Sequence, residues 1–227
     1  MISEKSINAV LVLAAVSVVA MMAKREFAPA QAVGGPPPLP TLTAAAGFDA
    51  SNQPSTPLTE ESGRTTVLVF SDLECPYCRR FHETLRSVEK DYLGKVRFEF
   101  AHFPLPSHRF AQQAAEASEC AAKQGLFRRF VDETFASQDS IGLLAWQEIG
   151  RRAGVADTAA LAACIQERST INRVADQRES GRALGITSTP TIIVSGHRFS
   201  VPPTERQLRA VLDAAIAGKP VTEALKR

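Results

Sequence analysis

Val67-Leu68-Val69-Phe70-Ser71-Asp72-Leu73-Glu74-Cys75-Pro76-Tyr77-Cys78 joins a short apolar run to two cysteines three positions apart. From Thr65 to Ser71 the residues are β-branched or apolar without polar alternation. That pattern predicts a central strand buried on both faces. Cys75-Pro76 then opens a helix, with Pro76 at the first helical position, running to about Tyr92. Cys75 falls at the helix cap, where unpaired backbone N–H groups and the positive end of the helix dipole favour a negative sulfur. A thiolate stabilised in this way is both a nucleophile near neutral pH and a good leaving group. Cys78 lies one turn further on the same face and is expected to be more shielded, fit to resolve a mixed disulfide. Pro76 stiffens the turn and lacks only an N–H that had no partner.

Other uses of the pair fit less well. A zinc site needs four ligands, yet Cys120 and Cys164 stand alone and no His pair has ligand spacing. Covalent haem needs His after the second Cys, and that residue is Arg79. A purely structural bridge would close too small a ring to contribute much stability. No metal and no cofactor are therefore expected.

Beyond the helix, Leu93-Gly94-Lys95 breaks it and Val96-Arg97-Phe98-Glu99-Phe100 alternates as a second strand. Residues 107–184 are Ala-rich and helical, with breaks at Gly125, Asp139-Ser140, Gly154 and Ser169, predicting four or five helices. Such a block is too long for a loop and predicts a packed helical insertion. Thr191–Val194 and His197–Ser200 flank Ser195-Gly196 as a tight hairpin, and Thr204-x-x-Gln207 is a capping box opening a last helix to about Ala217. The order predicts an α/β fold, a mixed central sheet flanked by helices.

Toward the N-terminus, seven of the fourteen prolines lie between Ala28 and Ser62, predicting a disordered Pro-rich tether over 28–62. Before it, Ile7 to Ala23 is an apolar run preceded by Lys5 and followed by Lys24 and Arg25. Residues 1–27 read as an uncleaved membrane anchor spanning 7–23. Signal cleavage at Ala30-Gln31-Ala32 is the other reading and would leave a periplasmic or secreted protein. Either way the remainder lies on the extracytoplasmic side of the cell envelope, where disulfides persist. There, a bridge between Cys120 and Cys164 is the economical reading. Two buried free thiols, or a redox relay with the first pair, are the alternatives. A net charge of +2 with no basic run gives no reason to expect nucleic acid.

Val67–Cys78 resembles the active-site segment of the thioredoxin superfamily, most closely its DsbA-type exported branch. Gly185-Ile186-Thr187-Ser188-Thr189-Pro190-Thr191 resembles that branch's cis-proline segment. Phe103-Pro104-Leu105, His108 and the run Ala114–Ala122 also look like it, and the likeness spans about 64–217. The resemblance implies a thioredoxin-like domain over 63–220 with a helical insertion at about 107–184, followed by a tail at 221–227. It implies a cis peptide at Pro190 that holds the backbone of Thr189 beside Cys75, ready to pair with an extended substrate. Two departures stand out. Related enzymes often keep a buried carboxylate where this chain has Val69, and the strongest oxidants have Pro-His where this chain has Pro76-Tyr77. Asp72 and Glu74 are expected to be solvated loop charges, with proton relay in place of the carboxylate missing at Val69 as the alternative, and His82 a surface residue rather than a thiolate partner.

The activity implied is thiol–disulfide exchange through Cys75 and Cys78, passing disulfides to exported proteins that carry cysteines, with a membrane quinone-linked partner restoring the bridge. The same site fed by an electron-supplying transporter would act as a reductase or isomerase. Isomerases usually carry a dimerisation domain first, and 28–62 offers none. A peptide-binding adaptor would have no use for the intact dithiol.

Overall fold

The computed structural model describes residues 40–50, 52–59 and 63–225. The expected anchor at 7–23 lies outside them. No helix among the described residues is long and apolar enough to cross a membrane.

A six-stranded mixed sheet carries the fold. Its strands are β1 (Leu42–Ala44), β2 (Thr56–Pro57), β3 (Thr65–Ser71), β4 (Val96–His102), β5 (Thr191–Val194) and β6 (His197–Phe199), in the spatial order β1-β6-β5-β3-β4-β2. β3 and β4 run parallel, and all other pairs are antiparallel. Every residue of β3 is buried, because both of its faces are covered. Val67 and Val69 pack with Phe81, Leu85 and Val88 of α1 (Pro76–Glu89) and with Leu208, Val211 and Leu212 of α7 (Glu205–Ile216). Leu68 and Phe70, one residue out of phase, pack with Phe103, Ile186 and Ile193. The mixed sheet flanked by helices that the element order predicts is present, in the thioredoxin-like arrangement that the resemblance implies.

Between β4 and β5 lie α2 (Ala111–Ala122), α3 (Phe127–Ala136), α4 (Trp146–Ala153), α5 (Thr158–Gln166) and α6 (Ile171–Ala183). The first four enclose a core of their own, with Phe130, Ile149, Val155 and Leu161 fully or nearly fully buried. The β5–β6 turn has positive φ at both Ser195 (45°) and Gly196 (78°). That geometry matches the twist of a two-residue hairpin. The capping box at Thr204 and Gln207 forms as the sequence predicts.

Three boundaries differ from the sequence reading. The stretch 28–62, expected to be a tether, supplies both edge strands. Leu42 pairs with Phe199 and Thr56 with Phe100, while Leu58 is buried in the core. Short runs between prolines, with partners more than forty positions away, carry no local periodicity to announce a strand. β4 reads as half-exposed because Arg97 and Glu99 alternate with apolar residues. In the fold Glu99 is covered, accepting from Ser55 Oγ at 3.0 Å with Arg97 at 3.1 Å, while the Arg97 side chain stays 37% exposed. The expected tail 221–227 begins with a 3-10 turn whose Val221 enters the main core.

Candidate active site

The loop leaving β3 delivers Cys75 to the start of α1 with extended backbone (φ −77°, ψ 122°). Its carbonyl accepts the N–H groups of Cys78 at 3.1 Å and Arg79 at 3.2 Å, and its own N–H donates to the Asp72 carbonyl at 3.1 Å. Pro76 occupies the first turn, and no side chain caps the helix. The terminal N–H groups therefore remain available to the sulfur.

The two thiols are driven apart. A hydrogen bond from the Cys78 thiol draws Cys75 from 9.0 down to about 5; burial opposes this, and the backbone N–H groups of Cys78 and Tyr77 assist. Burial, together with the neighbouring Cys75 sulfur, pushes Cys78 well above 9.0. The Asp72 N–H donates to Cys78 Sγ at 3.4 Å. Both sulfurs are nearly hidden from solvent, Cys75 at 3% and Cys78 at 1% exposure, and burial weighs more heavily on Cys78. The difference lies in which sulfur the surroundings stabilise as an anion. Tyr77, 62% exposed, forms the open rim with Pro76.

Opposite the dithiol, the Thr189–Pro190 peptide is cis and the Thr189 carbonyl oxygen lies 3.6 Å from Cys75 Sγ. The Thr189 hydroxyl is buried with no hydrogen-bond partner among the described residues.

Asp72 is not a solvated charge, and Glu74 is only half-buried. The Asp72 side chain is fully buried and accepts the N–H of Glu74 at 2.8 Å, the N–H of Leu105 at 2.8 Å and His108 Nδ1 at 2.8 Å. Glu74 accepts the Phe110 N–H at 2.6 Å. Both carboxylates thus stitch the loop before Cys75 to the segment after β4. Gln138 adds a third tie, donating to the carbonyls of Leu73 at 2.8 Å and Cys75 at 3.1 Å. Nothing local in the sequence marks Gln138, since its partners lie over sixty positions away.

His82, expected at the surface, is buried against Phe135, with Nε2 2.6 Å from Asp132 Oδ1. It fastens α1 to α3. Cys120 of α2 and Cys164 of α5 are joined by a disulfide within the helical block, with Cα atoms 5.9 Å apart. Beside them runs a buried polar network. The Glu119 carboxylate takes Arg173 Nε at 2.8 Å and the Thr56 hydroxyl at 2.5 Å, and lies 3.6 Å from His102. Burial pushes His102 down from 6.5 to about 4, keeping it neutral.

A family model described as Thioredoxin matches residues 56–214. A thioredoxin-like oxidoreductase from Silicibacter pomeroyi superposes with a TM-score of 0.61 at 23% identity, covering 73% of this chain and 94% of that one. For alpha-DsbA1 of Wolbachia pipientis the TM-score is 0.62 at 21% identity, covering 72% and 92%. Among curated proteins, a Na(+)/H(+) antiporter NhaA 3 of Salinispora tropica is 32% identical over 153 residues. That match takes in 67% of this chain but only 23% of the antiporter, so the chain spans about a quarter of that relative. The site geometry, the sheet order and the family match agree: the chain belongs to the thioredoxin family and has the fold of its DsbA-like members.

Proposed function

We propose that this chain is an extracytoplasmic thiol:disulfide oxidoreductase that introduces disulfides into exported proteins through Cys75 and Cys78. The observation that carries the reading is the placement of Cys75 at the start of α1, 3.6 Å from the Thr189 carbonyl before the cis-proline, with Cys75 lowered to about 5 and Cys78 raised. Such a pair has one sulfur built to leave as an anion and one built to take a proton.

In the oxidised enzyme a substrate thiolate attacks Cys75 Sγ, the Cys75–Cys78 bond breaks, and Cys78 leaves and takes up a proton. A second substrate thiolate then attacks the substrate sulfur of the mixed disulfide and Cys75 departs as a thiolate. Two electrons pass to the dithiol and one substrate disulfide forms. The Thr189 backbone, beside Cys75, offers an edge on which an extended substrate segment pairs. Pro76 and Tyr77 form the rim that it crosses. A quinone-linked membrane partner, as two-electron oxidant, restores the bridge.

Residues 7–23 would anchor the enzyme beside that partner. The antiporter name of the curated relatives favours work at a membrane surface. The reverse direction, a reductase fed by an electron-supplying transporter, is the second reading, and the same thiolate serves it. With Cys78→Ser, mixed disulfides should accumulate on Cys75 and be released by reductant, while Cys75→Ser should trap nothing. Trapping through Cys78 instead would reverse the assigned roles.

A further inference from the structure

Two carboxylates, Asp72 and Glu74, stand within three residues of Cys75. Both belong to the loop whose backbone contacts the dithiol: the Asp72 carbonyl accepts the Cys75 N–H and the Asp72 N–H reaches Cys78 Sγ. Negative charge there opposes formation of a thiolate at Cys75. The Pro76-Tyr77 dipeptide brings no cation to offset it. Among the charged groups around the loop, Arg79 of α1 pairs with Asp139 at 3.2 Å, and Arg109 lies over the Phe110 ring at 5.2 Å. Arg80 is engaged with the Tyr77 ring at 5.5 Å. His102, behind Asp72, is buried and neutral. The segment before β5 brings the neutral Thr189, and the α3–α4 connection brings the neutral Gln138 next to Asp139, the carboxylate that pairs with Arg79. The basic side chain seated directly on the loop is His108, whose Nδ1 sits 2.8 Å from the buried Asp72 carboxylate while its side chain keeps 22% exposure to solvent.

We propose that His108 is the charge-balancing positioning residue of the dithiol: its imidazolium, seated on Asp72, offsets the loop carboxylates and so stabilises the Cys75 thiolate. It supplies from the segment after β4 the positive charge that the Cys-x-x-Cys dipeptide lacks. Burial works against the imidazolium, but the hydrogen bond and charge of Asp72, with the charges of Cys75 and Glu74, outweigh it and raise His108 above 6.5. Coupling between two titrating groups is reciprocal. If His108 favours the Cys75 thiolate, the thiolate favours protonated His108 by the same free energy. Oxidation to the disulfide removes that charge, so His108 must then hold its proton less tightly.

This inference rests on Cys75 being the thiolate of the pair, and the test separates the two claims. NMR titration of His108 in the full chain, oxidised and then reduced, should show proton affinity at least about threefold higher in the reduced form. That is the order expected for unit charges several ångströms apart even in water-like surroundings. His108→Gln, which keeps a donor for Asp72 but loses the charge, should raise the Cys75 titration followed by thiolate absorbance, and His108→Lys should restore it in part. Equal His108 affinity in the two redox forms overturns the proposal, as does a Cys75 titration unmoved by His108→Gln. Absence of any low-pH thiolate titration at Cys75 would instead sink the underlying assignment of the nucleophile. The wild-type comparison of redox forms stands even if the variants fold poorly.

Discussion

Cys75 Sγ lies 3.6 Å from the carbonyl oxygen of Thr189, a residue 114 positions away in the chain. This contact joins the start of α1 to the entry of β5, and it sets the Cys75 sulfur beside a backbone edge. A substrate laid along that edge would present its own sulfur to Cys75 without any movement of the sheet.

The first consequence concerns reactivity. In the reduced protein at neutral pH, Cys75 should alkylate much faster than Cys78, and its rate should rise with pH through about 5, where its thiolate forms. Cys78, raised by burial, should remain protonated and slow over the same range. Mass-spectrometric mapping of a short alkylation pulse measures both. Equal rates at the two sites would contradict the asymmetry.

The redox couple should carry the same signature. Above pH 5 the reduced pair holds one proton, on Cys78, rather than two. The potential should therefore fall by about 30 mV per pH unit, half the slope of about 59 mV for a couple taking up two protons with two electrons. Equilibration with glutathione from pH 6 to 8 reads the slope, and the steeper value would show that Cys75 is protonated there.

The dithiol, the buried strand before it, the hairpin and the capping box were legible in the sequence because each is specified within a dozen residues. Asp72, Glu74 and His82 were not. A charged residue in a loop looks solvated until its partners are known, and Leu105, His108, Phe110 and Asp132 lie 33 to 50 positions away. The edge strands were missed for the same reason. Leu42–Ala44 and Thr56–Leu58 gain their structure from Phe98, Phe100 and Phe199, not from their own pattern.

Stability should fall in moderately acidic solution because of His102. Its folded-state value is depressed from 6.5 to about 4, so the stability it permits is present above 6.5 and lost as pH falls toward 4. Each unit of depression is about 1.4 kcal/mol, giving a loss on the order of 3 kcal/mol across the window. Urea unfolding at pH 7 and pH 4.5 should show the decline, and His102→Asn should flatten it. An equally steep decline in the variant would place the acid sensitivity elsewhere.

The Cys120–Cys164 bridge closes a span of 44 positions inside the helical block, away from the dithiol. Cys120→Ala/Cys164→Ala should lower stability by up to about 4 kcal/mol, the chain-entropy value for a loop of that length. Disulfide exchange at 25 °C should be nearly unchanged. Loss of exchange in a variant shown by circular dichroism to be folded would mean that the second pair takes part in the chemistry.

The direction of electron flow follows from how far the Cys75 thiolate is stabilised, because a more stable dithiol makes a more oxidising disulfide. At about 5, Cys75 falls between the nucleophilic thiols of thioredoxin, about 7, and DsbA, about 3.5. The reduction potential of the Cys75–Cys78 couple at pH 7, measured by equilibration against glutathione, should accordingly lie between about −270 mV and about −120 mV. A value at or below about −270 mV, that of thioredoxin, would contradict the oxidase and assign the site to a reductase.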